Sequence, residues 1–159
     1  MESIRIKPHH LLDILKLHGK GIEVFVKDME FGHDFYKIAN EIINLEVSEV
    51  TFTRDCDDIC EPCKHRANNE CSDYVSFLDN YSKDKLNKEI DDRLLKILGI
   101  KEEESYKLED IFNLLMKKLS YSLFEEVWEY ANEEELQFRF AFTIMGTYKV
   151  LEKYKYKDV

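Results

Sequence analysis

The sequence predicts a mainly α-helical fold with a small two-stranded β element, an α+β arrangement in a single compact domain. Three observations lead there. The chain has 159 residues, of which 44% are hydrophobic, enough to build one self-sufficient core. Only 2 Pro and 5 Gly accompany abundant Lys, Glu, Leu and Ile, a composition that favours long helices over a turn-rich all-β fold. Two short segments alternate apolar and polar residues, whereas most of the rest spaces its apolar residues like helices.

Ile4-Arg5-Ile6-Lys7 alternates and reads as a short strand stopped by Pro8. Pro8 suits a first helical turn, so a helix follows at once, with Leu11, Leu12, Ile14 and Leu15 on its apolar face until Gly19-Lys20-Gly21. A second helix is expected from about Val24 to Asn44, where Phe25, Met29, Tyr36, Ala39 and Ile43 fall roughly on one stripe. Glu49 to Thr53 alternates again as a second strand. A short helical piece near Asp73 to Asn80 and a longer helix from Lys83 to Leu98, ended by Gly99, come next. Leu108, Ile111, Phe112, Leu115 and Leu119 mark a helix over 107–119, and Leu123 to Ala131 another. Leu136 to Ile144 alternates like a strand but also fits a helix. The acidic triplet Glu133-Glu134-Glu135 suits a helix N-terminus and the apolar run is long for a strand, so helix is the reading taken.

Charge and ends bound the function. With 23 basic and 33 acidic residues the net charge is -10, and no basic patch stands out, so neither nucleic acid nor a membrane surface is an expected partner. Met1 to Lys7 lacks the apolar stretch of a secretory signal, and no run of about 18 apolar residues occurs, so a cytoplasmic protein is expected. The chain is expected as a monomer or homodimer, with any protein partner left open.

The cysteines carry the most information. Cys56, Cys60, Cys63 and Cys71 lie within one stretch spaced C-x3-C-x2-C-x7-C. So close together they cannot staple distant parts of the fold, and in a reducing compartment such a cluster reads as a metal site. A C-x2-C pair lets two thiolates reach one metal from a tight turn, which Pro62 stiffens. Four thiolates suit either tetrahedral zinc or an iron–sulfur cluster, and spacing does not choose between them. C-x3-C-x2-C is also similar to the signature of radical S-adenosylmethionine enzymes, but two short strands do not supply their partial barrel.

His9 and His10 open the first helix, and Asp13 follows at i+4 and i+3, on a shared helix face. Pairing of the two strands would bring this end of the chain near the cysteines. His9, His10 and Asp13 are therefore candidate ligands beside Cys56, Cys60, Cys63 and Cys71. His18, His33 and His65 read as surface or packing residues.

Ile4 to Leu12, Gly19-Lys20-Gly21, Phe25-Val26, Met29 and Asp57-Asp58-Ile59-Cys60 with Cys63 and Cys71 together resemble a bacterial and archaeal family, domain of unknown function 1284, over roughly the first 100 residues. The resemblance implies iron–sulfur binding. The family commonly places a Cys where this chain has Asp13, so Cys56 would supply the missing thiolate, and further family cysteines near the C-terminus have no counterpart after Cys71. The expected organisation is a metal-binding core over 1–100 and a helical extension over 101–159 packed on it. The expected function is a cytosolic metal-binding protein with one Cys-rich centre, iron–sulfur or zinc. Two alternatives are a metal-assisted enzyme using His9, His10 and Asp13 as an acid/base group, and a metal-free interaction module exposing Phe138, Phe140 or Phe142. No nucleophile motif or phosphate-binding glycine loop supports the enzyme.

Overall fold

A computed structural model describes residues 2–30, 32–63, 66–67, 70–72, 74–75 and 81–157. The chain opens with strand β1 (Glu2–Ile6) and passes through Lys7 into helix α1 (Pro8–Lys20). Pro8 sits at the helix start, where its missing N–H costs nothing. Helix α2 (Phe35–Ile43) and strand β2 (Val47–Phe52) complete a parallel pairing of β1 with β2, Ile4 facing Val50 and Ile6 facing Phe52. Parallel strands need a long crossover, and the two helices provide it.

The strand pair is widened by a third member. After two short hairpins, β3 (Arg66–Ala67) with β4 (Glu70–Cys71) and β5 (Tyr74–Val75) with β6 (Tyr81–Ser82), helix α3 (Lys83–Leu98) runs to Gly99, whose φ of 70° closes the helix in a left-handed cap. Strand β7 (Ser105–Lys107) then joins β2 antiparallel, giving the order β1-β2-β7. Three residues are too few for a readable alternation, so β7 escapes sequence analysis. Helices α4 (Leu108–Lys118), α5 (Tyr121–Val127) and α6 (Glu133–Lys155) complete the chain.

The ambiguous segment 136–144 lies inside α6, which Asn132 caps by accepting the Glu135 N–H at 2.8 Å. The helix expected from Val24 begins only at Phe35. Asn40 explains the difference, because its side chain bonds both the N–H (2.9 Å) and the carbonyl (3.0 Å) of Phe25, holding that residue outside any helical ladder. Gly32 at φ 69° interrupts the rest, and Val24, Val26 and Met29 point to solvent. Of the helical piece expected near 73–80, Tyr74 and Val75 are strand instead, and 73 and 76–80 lie outside the described residues.

Helix α6 packs along α1 so closely that glycine is required on both sides. A Cβ on Gly146 would lie 1.7 Å from the Leu15 carbonyl oxygen, and one on Gly19 would lie 1.9 Å from that of Phe142. The core spreads from Ile6, Val50 and Phe52 of the sheet through Leu11, Ile14 and Leu15 of α1 to Leu94, Phe112 and Phe124 of the later helices. Of the C-terminal aromatics, Phe140 packs edge-on against Tyr121 and Phe124 and Phe142 is half-buried against Phe138, which is itself 37% exposed. No helix among the described residues is long and apolar enough to cross a membrane.

Candidate metal centre

Parallel pairing makes both strands end on the same side of the sheet, so β1 delivers Lys7, His9 and His10 where β2 delivers the cysteine segment. Hydrogen bonds extend the pairing beyond β2. Thr53 N–H donates to the Ile6 carbonyl (3.1 Å), Asp58 N–H to the Arg5 carbonyl (3.0 Å), and Arg5 N–H to Asp58 Oδ2 (2.9 Å).

Asp57 is the hub. Its buried carboxylate accepts the Lys7 N–H at 2.7 Å and pairs with His10 Nδ1 at 2.7 Å through Oδ2, while Oδ1 accepts the N–H groups of Ile59 and Cys60 at 3.1 Å each. One side chain thus joins the start of α1 to the turn that carries Cys60. Burial disfavours its charge, but His10 and the Lys7 N–H outweigh that and hold the carboxyl well below the usual carboxylate range.

His9 has its own aspartate. Asp91, wholly buried on α3, accepts the His9 backbone N–H at 2.8 Å and lies 2.9 and 3.0 Å from His9 Nδ1. It serves as the helix cap that α1 lacks in its own sequence, since the first turn of α1 holds no acid. Burial pulls the His9 imidazole down, but the Asp91 charge and hydrogen bond leave it raised. His10 goes the other way: burial prevails over Asp57 and its pKa is lowered, which keeps the ring neutral and able to ligate. The two rings lie 4.4 Å apart. With Nδ1 of each committed to a buried carboxylate, Nε2 is the nitrogen left for other partners.

The structure gathers three possible ligands. Among the described residues, one ligand atom each from His10, Asp57 and Cys60 lies within 4.8 Å of the others. Burial, then the Asp57 charge, pushes the Cys60 thiol far up, so without a cation it is a protonated, unreactive thiol. Lys7 lies beside this group with 1% of its surface exposed. Burial lowers its pKa, but the acidic groups around it, the Cys60 thiol and then the Asp57 and Asp91 carboxylates, leave it raised.

The other expected ligands are placed apart from this group. All four cysteines are thiols rather than disulfides, and no three of them form such a group among the described residues. Cys56 is buried and its carbonyl accepts Arg5 Nη1 at 3.2 Å. Cys63 follows Cys60 in a turn, its N–H donating to the Cys60 carbonyl at 3.0 Å. Cys71 sits on β4 with its N–H on Asp84 Oδ1 at 3.1 Å. Asp13 is not the carboxylate of His9 or His10. Arg139 and Lys16 hold it at 3.1 and 3.4 Å, because Asp91 and Asp57 have already taken the Nδ1 atoms. His18 is a packing residue, His33 is half-buried, and His65 lies outside the described residues.

Sequence reasoning missed Lys7, Asp57 as a donor, and Asp91. Asp91 did leave a signal: it shares the apolar stripe of α3 with Ile90, Leu94, Leu95 and Leu98, where an acid needs a partner.

His9, His10 and Asp13 open onto a cleft of about 330 Å³ whose walls include Phe35, Ile59, Leu86, Ile90, Trp128 and Arg139. Against known proteins, a family model described as protein of unknown function (DUF1284) matches residues 27–129, a stretch that contains Asp57, all four cysteines and Asp91. No curated protein and no solved structure matches the chain.

Proposed function

The chain belongs to the DUF1284 family of proteins of unknown function, and from its buried polar centre we propose that it is a metal-binding protein holding one divalent ion of the zinc type on His10, Asp57 and Cys60. The convergence of imidazole, carboxylate and thiol from segments about 50 residues apart carries this reading. Nitrogen, oxygen and sulfur donors together suit zinc or a neighbouring transition ion, whereas an iron–sulfur cluster draws on three or four thiolates. The charge logic supports it as well. A cation beside Asp57 reverses the repulsion that keeps Cys60 protonated and turns it into a ligand. Loading displaces the proton of the thiol and competes with the His10–Asp57 hydrogen bond. Three protein donors leave a coordination position open, which Cys63 or an exogenous ligand can take. In a cytoplasmic setting the thiols stay reduced and available.

The test is anaerobic purification followed by elemental analysis and a visible spectrum. A colourless protein with about one equivalent of zinc per chain is expected. Iron with sulfide and absorption near 400 nm would replace this reading with a cluster, and a protein that neither contains nor takes up metal would end it.

A further inference from the structure

The cleft in front of His9 and His10 differs in character from the rest of the molecule. The chain carries a net charge of -10, yet the lining of this cleft holds two fixed cations, Lys83 and Arg139, with the imidazoles of His9, His10 and His33, against one lining carboxylate, Asp13; Asp91, Asp57 and Glu135 stand behind His9, His10 and Arg139. The Asp13 carboxylate is already paired with Arg139 and Lys16. The rest of the lining is mostly apolar, Phe35, Ile59, Leu86 and Ile90 with the indole of Trp128, beside Asn87 and Tyr130. At about 330 Å³ the space lies at the small end of ligand pockets.

Arg139 is held ready rather than mobile. Its guanidinium lies 4.8 Å over the Trp128 ring, Trp128 in turn stacks on Phe124 at 5.3 Å, and Glu135 and Asp13 fix Nε and Nη1. A guanidinium has five N–H donors, so its bonds to Glu135 and Asp13 and its contact with Tyr130 leave it able to reach an oxyanion. The His9 and His10 imidazoles are equally fixed, each turned by a buried aspartate.

We infer that the cleft is a binding site for a small organic anion: an apolar body about the size of one ring, between Trp128, Phe35 and the Leu86–Ile90 face of α3, with a terminal carboxylate or phosphate group directed to Arg139 and the His9 imidazole. The inference rests on the metal reading only in placing the ion at His10, where its charge would add to those of Lys83 and Arg139.

Trp128 is the single tryptophan of the chain, so its fluorescence reports on this cleft without labelling. The protein as purified, and again after chelator treatment, is titrated with benzoate, phenyl phosphate and neutral benzyl alcohol. A saturable response to at least one anion with a Kd of about 1 mM or tighter is expected. Benzyl alcohol should bind at least about tenfold more weakly, and the ranking of the two anions tells carboxylate from phosphate. Arg139→Gln should weaken the anions about tenfold without changing the alcohol, and Arg139→Lys should recover part of the loss. If Arg139→Gln does not fold, Lys83→Gln at the cleft wall should still weaken anion binding. No saturable response to either anion, an equal response to the neutral probe, or parental binding in both Arg139→Gln and Lys83→Gln would overturn the inference. Anion binding in a protein that takes up no metal would sink the metal reading alone, and metal uptake without anion binding would sink this one alone.

Discussion

Two junctions hold distant parts of this chain together, and they do so by opposite means. At the start of α1, one buried carboxylate gathers a helix, a strand end and the cysteine turn through four hydrogen bonds. Where α1 meets α6, two glycines remove every obstacle and the backbones touch at Leu15 and Phe142, a contact set by volume although Arg139 and Asp13 pair along the same two helices. The first junction is chemically addressable: protons and cations act on it. At its glycines the second answers to volume. A site that must respond to a ligand is built like the first, and the frame that keeps it in place is built like the second.

The largest effect should follow from breaking the polar hub. Asp57→Ala strands the N–H groups of Lys7, Ile59 and Cys60 in a buried space and leaves Lys7 and His10 without their carboxylate, a loss of about 4 kcal/mol, measured by denaturant unfolding. Acid should attack the same junction. Because the folded carboxyl is held below its ordinary value of 3.8, its contribution is complete above that pH and is lost as the pH falls below it. Neither Gly146 nor the Leu15 backbone that it meets titrates, so the loss from a substitution there should show no such dependence.

Gly146→Ala should come next, at about 3 kcal/mol, since the new methyl meets the Leu15 backbone rather than a side chain that could swing away. Together with Asp57→Ala it sharpens the comparison: the loss from Gly146→Ala should be the same at pH 4 and pH 7, within about 0.5 kcal/mol. Cys60→Ser should change stability in the absence of metal by no more than about 1 kcal/mol while abolishing metal retention, read by elemental analysis.

The smallest effect concerns His18, buried in α1 beneath neither junction's hydrogen bonds. Its Nδ1 bonds the Ile22 carbonyl at 2.9 Å and its Nε2 is buried with no hydrogen-bond partner among the described residues. Burial first, with Lys149 and Lys153 adding to it, lowers its pKa, so the unfolded chain takes the proton more readily. Below its ordinary value of 6.5, stability should fall with pH, by no more than about 1.4 kcal/mol per unit for one proton. His18→Leu should lack this component, so the stability difference between variant and parent should shift in the variant's favour as the pH drops.

The sequence made the frame more legible than the site. Helices α1, α3, α4 and α6 and strands β1 and β2 announce themselves through periodicity, Pro8 and Gly99. The failures have local causes: Asn40 diverts the segment before α2, and β7 is too short to show a period. At the site, proximity of His10 to Cys60 followed from pairing the two strands. What did not follow was which carboxylate each imidazole takes. Asp13 is the neighbour in sequence, whereas Asp91 and Asp57 arrive from about 82 and 47 residues away, and only tertiary packing decides that competition.

The most direct test of the account is a cobalt titration of the chelator-treated protein, compared with Cys60→Ser and His10→Ala. The parent should develop visible d–d bands and a near-ultraviolet thiolate charge-transfer band that saturate at about one equivalent. Cys60→Ser should lose the charge-transfer band, His10→Ala should bind markedly more weakly, and Cys71→Ser should behave as the parent. Bands that survive unchanged in Cys60→Ser and His10→Ala, or vanish in Cys71→Ser alone, would contradict a centre built on His10, Asp57 and Cys60.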